Sequence, residues 1–349
     1  MGTNHPRSKP RSARFPWARW SQEEILDLRL CDLGVAIEGS WLEGPIDRIL
    51  GELSAKGIRA RPHFWLSDEW FSPAGITGVA LPFYLAHPRL MQIERSQMLE
   101  VEGGSRDECL KLLRHEVGHA VDHSYELHRK RRWQRVFGYS SQDYPEWYRP
   151  NPASKKYVVH LDAWYAQAHP DEDFAETFAV WLRPRSQWRK KYTGWAALKK
   201  LELVDELMNE VAGKKPKVVT RATPDSLPRL RRTLRSYYEN KRERYSIGFT
   251  DIYDRDLERL FVANDEAPAS PTAASFIRKH RREIREQVAR WTGEYQFTLD
   301  QVLREIIGRC RELKLRAPGS PRRLKLDFAI LLTVHTVHYP YRGGDWHPV

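Results

Sequence analysis

The spacing of apolar and polar positions changes several times along the chain, and each change predicts an element. Residues 26–37 (Leu-Asp-Leu-Arg-Leu-Cys-Asp-Leu at their start) alternate with a period near two, which reads as a strand. Ile46 to Lys56 follows the helical period and is closed by Gly57. Arg59–Ser67 and Gly78–Glu94 read as strands or extended segments. Leu110, Leu113 and Val117, with Val121 beside them, form an apolar stripe on one long helix. A second helix is expected after Pro170, with Phe174, Phe178, Trp181 and Leu182 as its buried face. Pro170 suits a first helical turn, and Asp171, Glu172 and Asp173 complement the positive end of the helix dipole. Between these helices, residues 132–169 are dense in aromatics and broken into loops by Pro145, Pro150 and Pro152. After Lys199–Val211 the run Gly213-Lys214-Lys215-Pro216-Lys217 predicts a boundary. Helices then follow over 226–245, 251–261, 272–291, 299–313 and 323–336.

The first of these helices carries chemistry. Its stripe frames His115-Glu116-Val117-Gly118-His119. Positions four apart on a helix lie one above the other, about 40° apart around the axis, so both imidazoles can reach one tetrahedral Zn²⁺ at roughly 2.0–2.1 Å. Glu116 is turned about 100° from His115. It flanks such a metal, where a carboxylate can take a proton from the metal-bound water. Two histidines hold zinc poorly, and catalytic zinc takes three protein ligands with water in the fourth place. Glu176 sits between Phe174 and Phe178, where a buried carboxylate is expensive unless a metal or other cation neutralises it. It is the expected third ligand, with Glu172 and Asp173 as competitors whose position near the helix start is explained by the dipole.

HEVGHAVD followed by HPDEDFAETFAVWL resembles a bacterial family of zinc-binding metallopeptidases, within the gluzincin clan whose zinc is held by two histidines and a glutamate. It is also similar to the anthrax lethal-factor type of catalytic domain. The resemblance covers about residues 75–210. It implies His115, His119 and Glu176 as zinc ligands and Glu116 as general base. Thermolysin-like gluzincins place an aspartate four residues after the ligand glutamate, and Val180 stands there. The carboxylate that orients a ligand histidine must then come from elsewhere. Asp122, seven residues past His115 and within about 20° of its helix face, is the first choice, and Asp173 the second. Asp122 and Tyr125 occupy the positions where a metzincin needs Gly and His, which excludes that subclass. His123 drifts to one side of the metal face and reads as outer or solvated. For the oxyanion, Tyr165, His160 and His169 are available, with Tyr165 preferred.

The expected fold is therefore α+β: a zincin-like domain with a small mixed sheet and active-site helices, then a mainly α-helical C-terminal region. Strand–helix–strand–strand should precede the HExxH helix, with Gly78–Leu85 at the sheet edge, because Pro82 is tolerated there. An extended peptide could pair with that edge through main-chain hydrogen bonds.

At 349 residues the chain has room for two ordinary domains, read as a disordered basic tail (1–20), the zincin-like domain (21–213) and a basic helical domain (214–349). The net charge of +12 is uneven, with +8 in residues 221–349 and +5 in the tail, so the catalytic candidate is close to neutral. The basic runs Arg229–Arg235 and Arg278–Arg285 could neutralise phosphates, although no nucleic-acid motif accompanies them. The expected activity is zinc-dependent peptide-bond hydrolysis, since a purely structural zinc site would have no use for Glu116 as a general base. The rivals are a nucleic-acid-associated protein with a regulatory zincin domain and a catalytically silent zincin-like module. Cys31, Cys109 and Cys310 read as free thiols in a reducing compartment. No apolar run reaches the length of a membrane span, and residues 1–19 lack the apolar core of a secretion signal, so a cytoplasmic location is expected.

Overall fold

Residues 15–145, 147–148, 150–245, 254–338 and 347–348 are described by the structure, a computed structural model. It is mostly helical with a small parallel sheet, an α+β arrangement. Helix α1 (Gln22–Leu26) starts at a capping box made by Ser21 and Glu24. Helix α2 (Glu43–Ala55) buries Ile46, Ile49 and Leu53 and stops just before left-handed Gly57. Strands β1 (His63–Ser67) and β2 (Gly78–Pro82) pair in parallel, with His63 opposite Gly78 and Ser67 opposite Pro82. Helix α3 (Pro88–Met98) follows, with Pro88 in its first turn and the His87 imidazole accepting from the Arg89 N–H.

Helix α4 (Arg106–Tyr125) packs on β2 and carries the HExxH residues. Ser105 caps it, and Asp107 and Glu108 lie in its first turn, where the dipole favours negative charge. After α5 (Arg131–Phe137) and the short strand β3 (Trp147–Tyr148) comes α6 (Pro170–Leu182), begun by the same His-Pro signal as α3. Contacts from His115 to Glu176 and from His119 to Glu172 show that α4 and α6 run antiparallel. Gly118 permits their close approach: a Cβ there would lie 3.1 Å from the Ala175 Cα. Helices α7 (Trp188–Lys191), α8 (Ala197–Val211) and α9 (Leu234–Arg244) complete a first core in which Leu113, Val117, Phe174, Phe178 and Leu207 meet. Helices α10 (Asp254–Leu260), α11 (Ala273–Thr292), α12 (Gln296–Glu312) and α13 (Pro321–His338) enclose a second core around Leu257, Phe261, Ile277, Leu303 and Phe328. Strand β4 (His347–Pro348) pairs antiparallel with β3. No helix among the described residues is long and apolar enough to cross a membrane.

Several sequence expectations change. Residues 26–37 form no strand; they hold the end of α1 and a 3₁₀ turn at Leu30–Asp32. Leu26, Leu30 and Leu33 enter the core at helical spacing, and the backbone around them bonds to the returning segment 230–234. Only Gly78–Pro82 of the 78–94 stretch is strand, since the His87-Pro88 signal starts a helix. Strand β2 is not a free edge: the Ala80 N–H donates to the Phe71 carbonyl (2.9 Å), the Gly78 carbonyl accepts from Ser72 Oγ (2.9 Å), and every β2 residue is buried. The boundary expected near 213 does not divide the cores, because Leu227, Leu234, Tyr237 and Tyr238 belong to the first. Residues 217–233 form a strap there, bound by Trp65 Nε1–H to the Pro224 carbonyl (2.9 Å) and Ser67 Oγ–H to the Asp225 carbonyl (2.6 Å). At the other end, Phe15 to Trp20 are ordered, with Trp17 buried and its indole N–H on the Leu33 carbonyl (2.9 Å). The rest of the expected basic tail, residues 1–14, lies outside the described residues.

Candidate metal centre

Three donor atoms converge between α4 and α6. The Nε2 atoms of His115 and His119 are 3.2 Å apart, as their four-residue spacing requires. Oε2 of Glu172 lies 2.9 Å from the first and 3.3 Å from the second. Ligands arranged tetrahedrally around one zinc at roughly 2.0–2.1 Å sit about 3.3 Å from each other, so two imidazoles and one carboxylate at these separations fit a zinc ion. All three side chains are buried.

Glu176 was the expected third ligand, and the structure puts it on the other side of His115. Its Oε1 accepts from His115 Nδ1–H (2.9 Å) and its Oε2 from the Leu161 N–H (2.8 Å). That bond commits Nδ1 to a proton, so Nε2, once it loses its own proton, is the nitrogen whose lone pair can face a metal. Glu172 and Glu176 are four residues apart on α6 and present one face, as His115 and His119 do on α4. This repeated spacing was the available sequence signal for Glu172.

Electrostatics follow from burial and pairing. Burial opposes charge on His115, but Glu172 and Glu176 overcome it and hold the imidazole well above its ordinary range. Burial likewise opposes charge on Glu172, and His119 and His115 reverse it, holding that carboxyl well below its ordinary range. Glu116 is buried beside the cluster, and desolvation raises its pKa against the pull of His115 and His119. Among the described residues, no hydrogen bond holds its carboxylate.

The remaining predicted residues disperse. Asp122 does not meet His115; its Oδ2 is bonded by Nδ1 of His128, which a left-handed turn at Glu126 brings back beside it. Asp173 points to α8, where Lys200 donates to its Oδ2. His169 uses Nδ1 to cap α6 and Nε2 to donate to the Gln142 carbonyl (3.0 Å), which leaves no donor for an oxyanion. His160 is bonded to the Lys111 carbonyl (2.9 Å). Tyr165 stays close: its ring is 5.6 Å from that of His115, and its hydroxyl has no hydrogen-bond partner among the described residues. The two residues before it, Ala163 and Trp164, are both left-handed (φ 53° and 54°), a strained backbone held at the site. Gly293, at the end of α11, abuts this loop: a Cβ there would lie 3.0 Å from the Ala163 nitrogen. Tyr144, not singled out from sequence, stacks on His169 (3.8 Å between ring centres) and donates its hydroxyl to Oε1 of Glu172 (2.9 Å).

Residues 94–216, which run from within α3 to just past α8 and hold every residue of this centre, match the model of a family described as "Putative zinc-binding metallo-peptidase". Comparison with curated proteins and with solved structures gives no match.

Proposed function

We propose that the protein is a zinc-dependent endopeptidase of gluzincin type, with His115, His119 and Glu172 as the zinc ligands. The observation that carries this reading is the convergence of two Nε2 atoms and one Oε2 at 2.9–3.3 Å on facing helices. Glu172 also resolves the departure noted in the sequence, since Glu176 then stands four residues after the ligand glutamate, where thermolysin-like gluzincins carry an aspartate. Zinc, when bound, polarises the scissile carbonyl and lowers the pKa of a water toward about 7. Glu116 accepts the proton released as that water attacks, and returns it to the leaving amine. Glu176 and the Leu161 N–H hold His115 in the tautomer and orientation that ligation requires. Tyr165 is the donor for the oxyanion, being the tyrosine near His115 whose hydroxyl is unengaged.

Part of each basic run considered for phosphate contact is engaged in ion pairs within the protein. Arg232 pairs with Asp68, Arg235 with Asp27 and Glu23, and Arg281 and Arg285 with Asp300. Metal analysis of the purified protein, joined to a peptide-library cleavage screen, tests the reading. Wild type should hold zinc and cleave. Glu116→Gln should keep zinc and lose hydrolysis, and wild-type turnover in that variant would remove the general base. Glu172→Ala should lose the catalytic zinc; if it keeps the metal and Glu176→Ala loses it, the ligand assignment reverses.

A further inference from the structure

Beyond the C-terminal end of the HExxH helix lies a second group of ligand-type side chains. Asp122 and His123 close α4, left-handed Glu126 (φ 53°) turns the chain, and His128 comes back in the 3₁₀ turn Leu127–Arg129. One donor atom from each of Asp122, His123 and His128 lies within 4.8 Å of the others. The His123 and His128 rings are 5.6 Å apart at their centres and only partly buried, so ring rotation can bring their nitrogens onto one point.

The carboxylates here are unevenly satisfied. Asp122 is 5% exposed, and while His128 engages its Oδ2, its Oδ1 is buried with no hydrogen-bond partner. Asp171, at the start of α6, leaves its Oδ1 buried and unpartnered as well, while its Oδ2 accepts from Ser140 Oγ–H (2.9 Å). Asp171 lies close enough to repel charge on Asp122 and to favour it on His128. Burial, with His119 and His128 nearby, pushes His123 down to about 4, so its ring is neutral and has a lone pair to offer. Two carboxylates therefore lie within each other's field, each with one buried oxygen that no donor reaches. A buried carboxylate oxygen without a donor is costly, and a cation is the partner that satisfies it. Two imidazoles with carboxylate oxygen form a donor set suited to zinc and similar divalent transition metals.

We propose that Asp122, His123 and His128 form a second divalent-metal site, with Asp171 beside it, tying the end of α4 to the start of α6. The catalytic reading makes no use of these three side chains, and the second site stands without it. The test uses the full chain, stripped of metal with a chelator and titrated with ZnCl₂, with stoichiometry read by calorimetry and by elemental analysis after dialysis. Wild type should bind two equivalents, the His123→Ala/His128→Ala variant one, and His115→Ala one. Far-UV circular dichroism reports folding, and His123→Gln/His128→Gln replaces the alanine pair if that pair does not fold. The proposal is overturned if the paired variant binds as many equivalents as wild type. If His115→Ala keeps both equivalents while the paired variant loses one, the second site holds and the ligand role of His115 falls.

Discussion

Glu172 and Glu176 stand one helical turn apart and meet opposite nitrogens of one imidazole, so their losses should differ in kind. Removing a residue that orients a ligand typically lowers metal affinity about 10–100-fold, and Glu176→Ala should do that while still filling at saturating zinc. Glu172→Ala removes a direct donor and should leave no stoichiometric catalytic zinc, as competition with a fluorescent chelator would show. Tyr165→Phe should lower kcat by about 10²–10³ with zinc content unchanged, the usual effect of losing one oxyanion donor. An unchanged kcat would shift that role to Tyr144. The approach of His115 to His119 was legible because a helix converts a four-residue spacing directly into a shared face. Glu172 was not, because its place in the first turn of α6 already had a sufficient explanation in the dipole. Asp122 and Asp173 were misdirected for a different reason: a helical angle says where a side chain points, not what meets it. The partners, His128 and Lys200, arrive from a turn and from another helix.

Helices α4 and α6 depend on Gly118 for the approach that sets the distances between their donors. Gly118→Ala would place a methyl group 3.1 Å from both the Ala175 Cα and the Phe178 ring edge. The expected result is a destabilisation of about 1–3 kcal/mol from overpacking, with weaker zinc binding because the facing donors separate. Thermal melts with and without zinc check both parts, and an unchanged melt would show that the helices can slide without loss. Elements begun by clear local chemistry were legible: His-Pro opens both α3 and α6, and Ser105 opens α4. Residues 26–37 were not, because Leu26, Leu30 and Leu33 are buried by a segment 200 residues further on, and apolar spacing carries no record of such a partner.

The two cores meet beside the metal centre, which gives the C-terminal helices a part in its geometry. Gly293 abuts Ala163, so α11 buttresses the strained loop that holds Tyr165. Close to the same junction, burial and the neighbouring Glu102 push Glu100 from 4.5 up to about 8, and burial raises Glu102 to about 7 despite Lys241. Both groups hold protons more tightly in the folded state, so their contribution favours folding below the unfolded value and is lost as pH rises through about 7 and about 8. Chemical denaturation from pH 5 to pH 9 should show stability falling by up to about 1.4 kcal/mol per pH unit for each group, and Glu100→Gln/Glu102→Gln should flatten that fall. An equally steep fall in the double variant would place its origin elsewhere. The split between cores was blurred in the sequence because the lysine-rich run at 213–217 leads into a strap over the first core, not across a junction. The covered flank of β2 has a last consequence. Ala80 has given its N–H to Phe71, Gly78 its carbonyl to Ser72, and Pro82 has no N–H to give. A ligand arriving as an extra strand finds few backbone partners, so recognition should pass to side-chain pockets in the aromatic loops of residues 132–169. Peptides N-methylated beside their cleavage site should then remain good substrates, and inhibitors that imitate a strand should be poor ones.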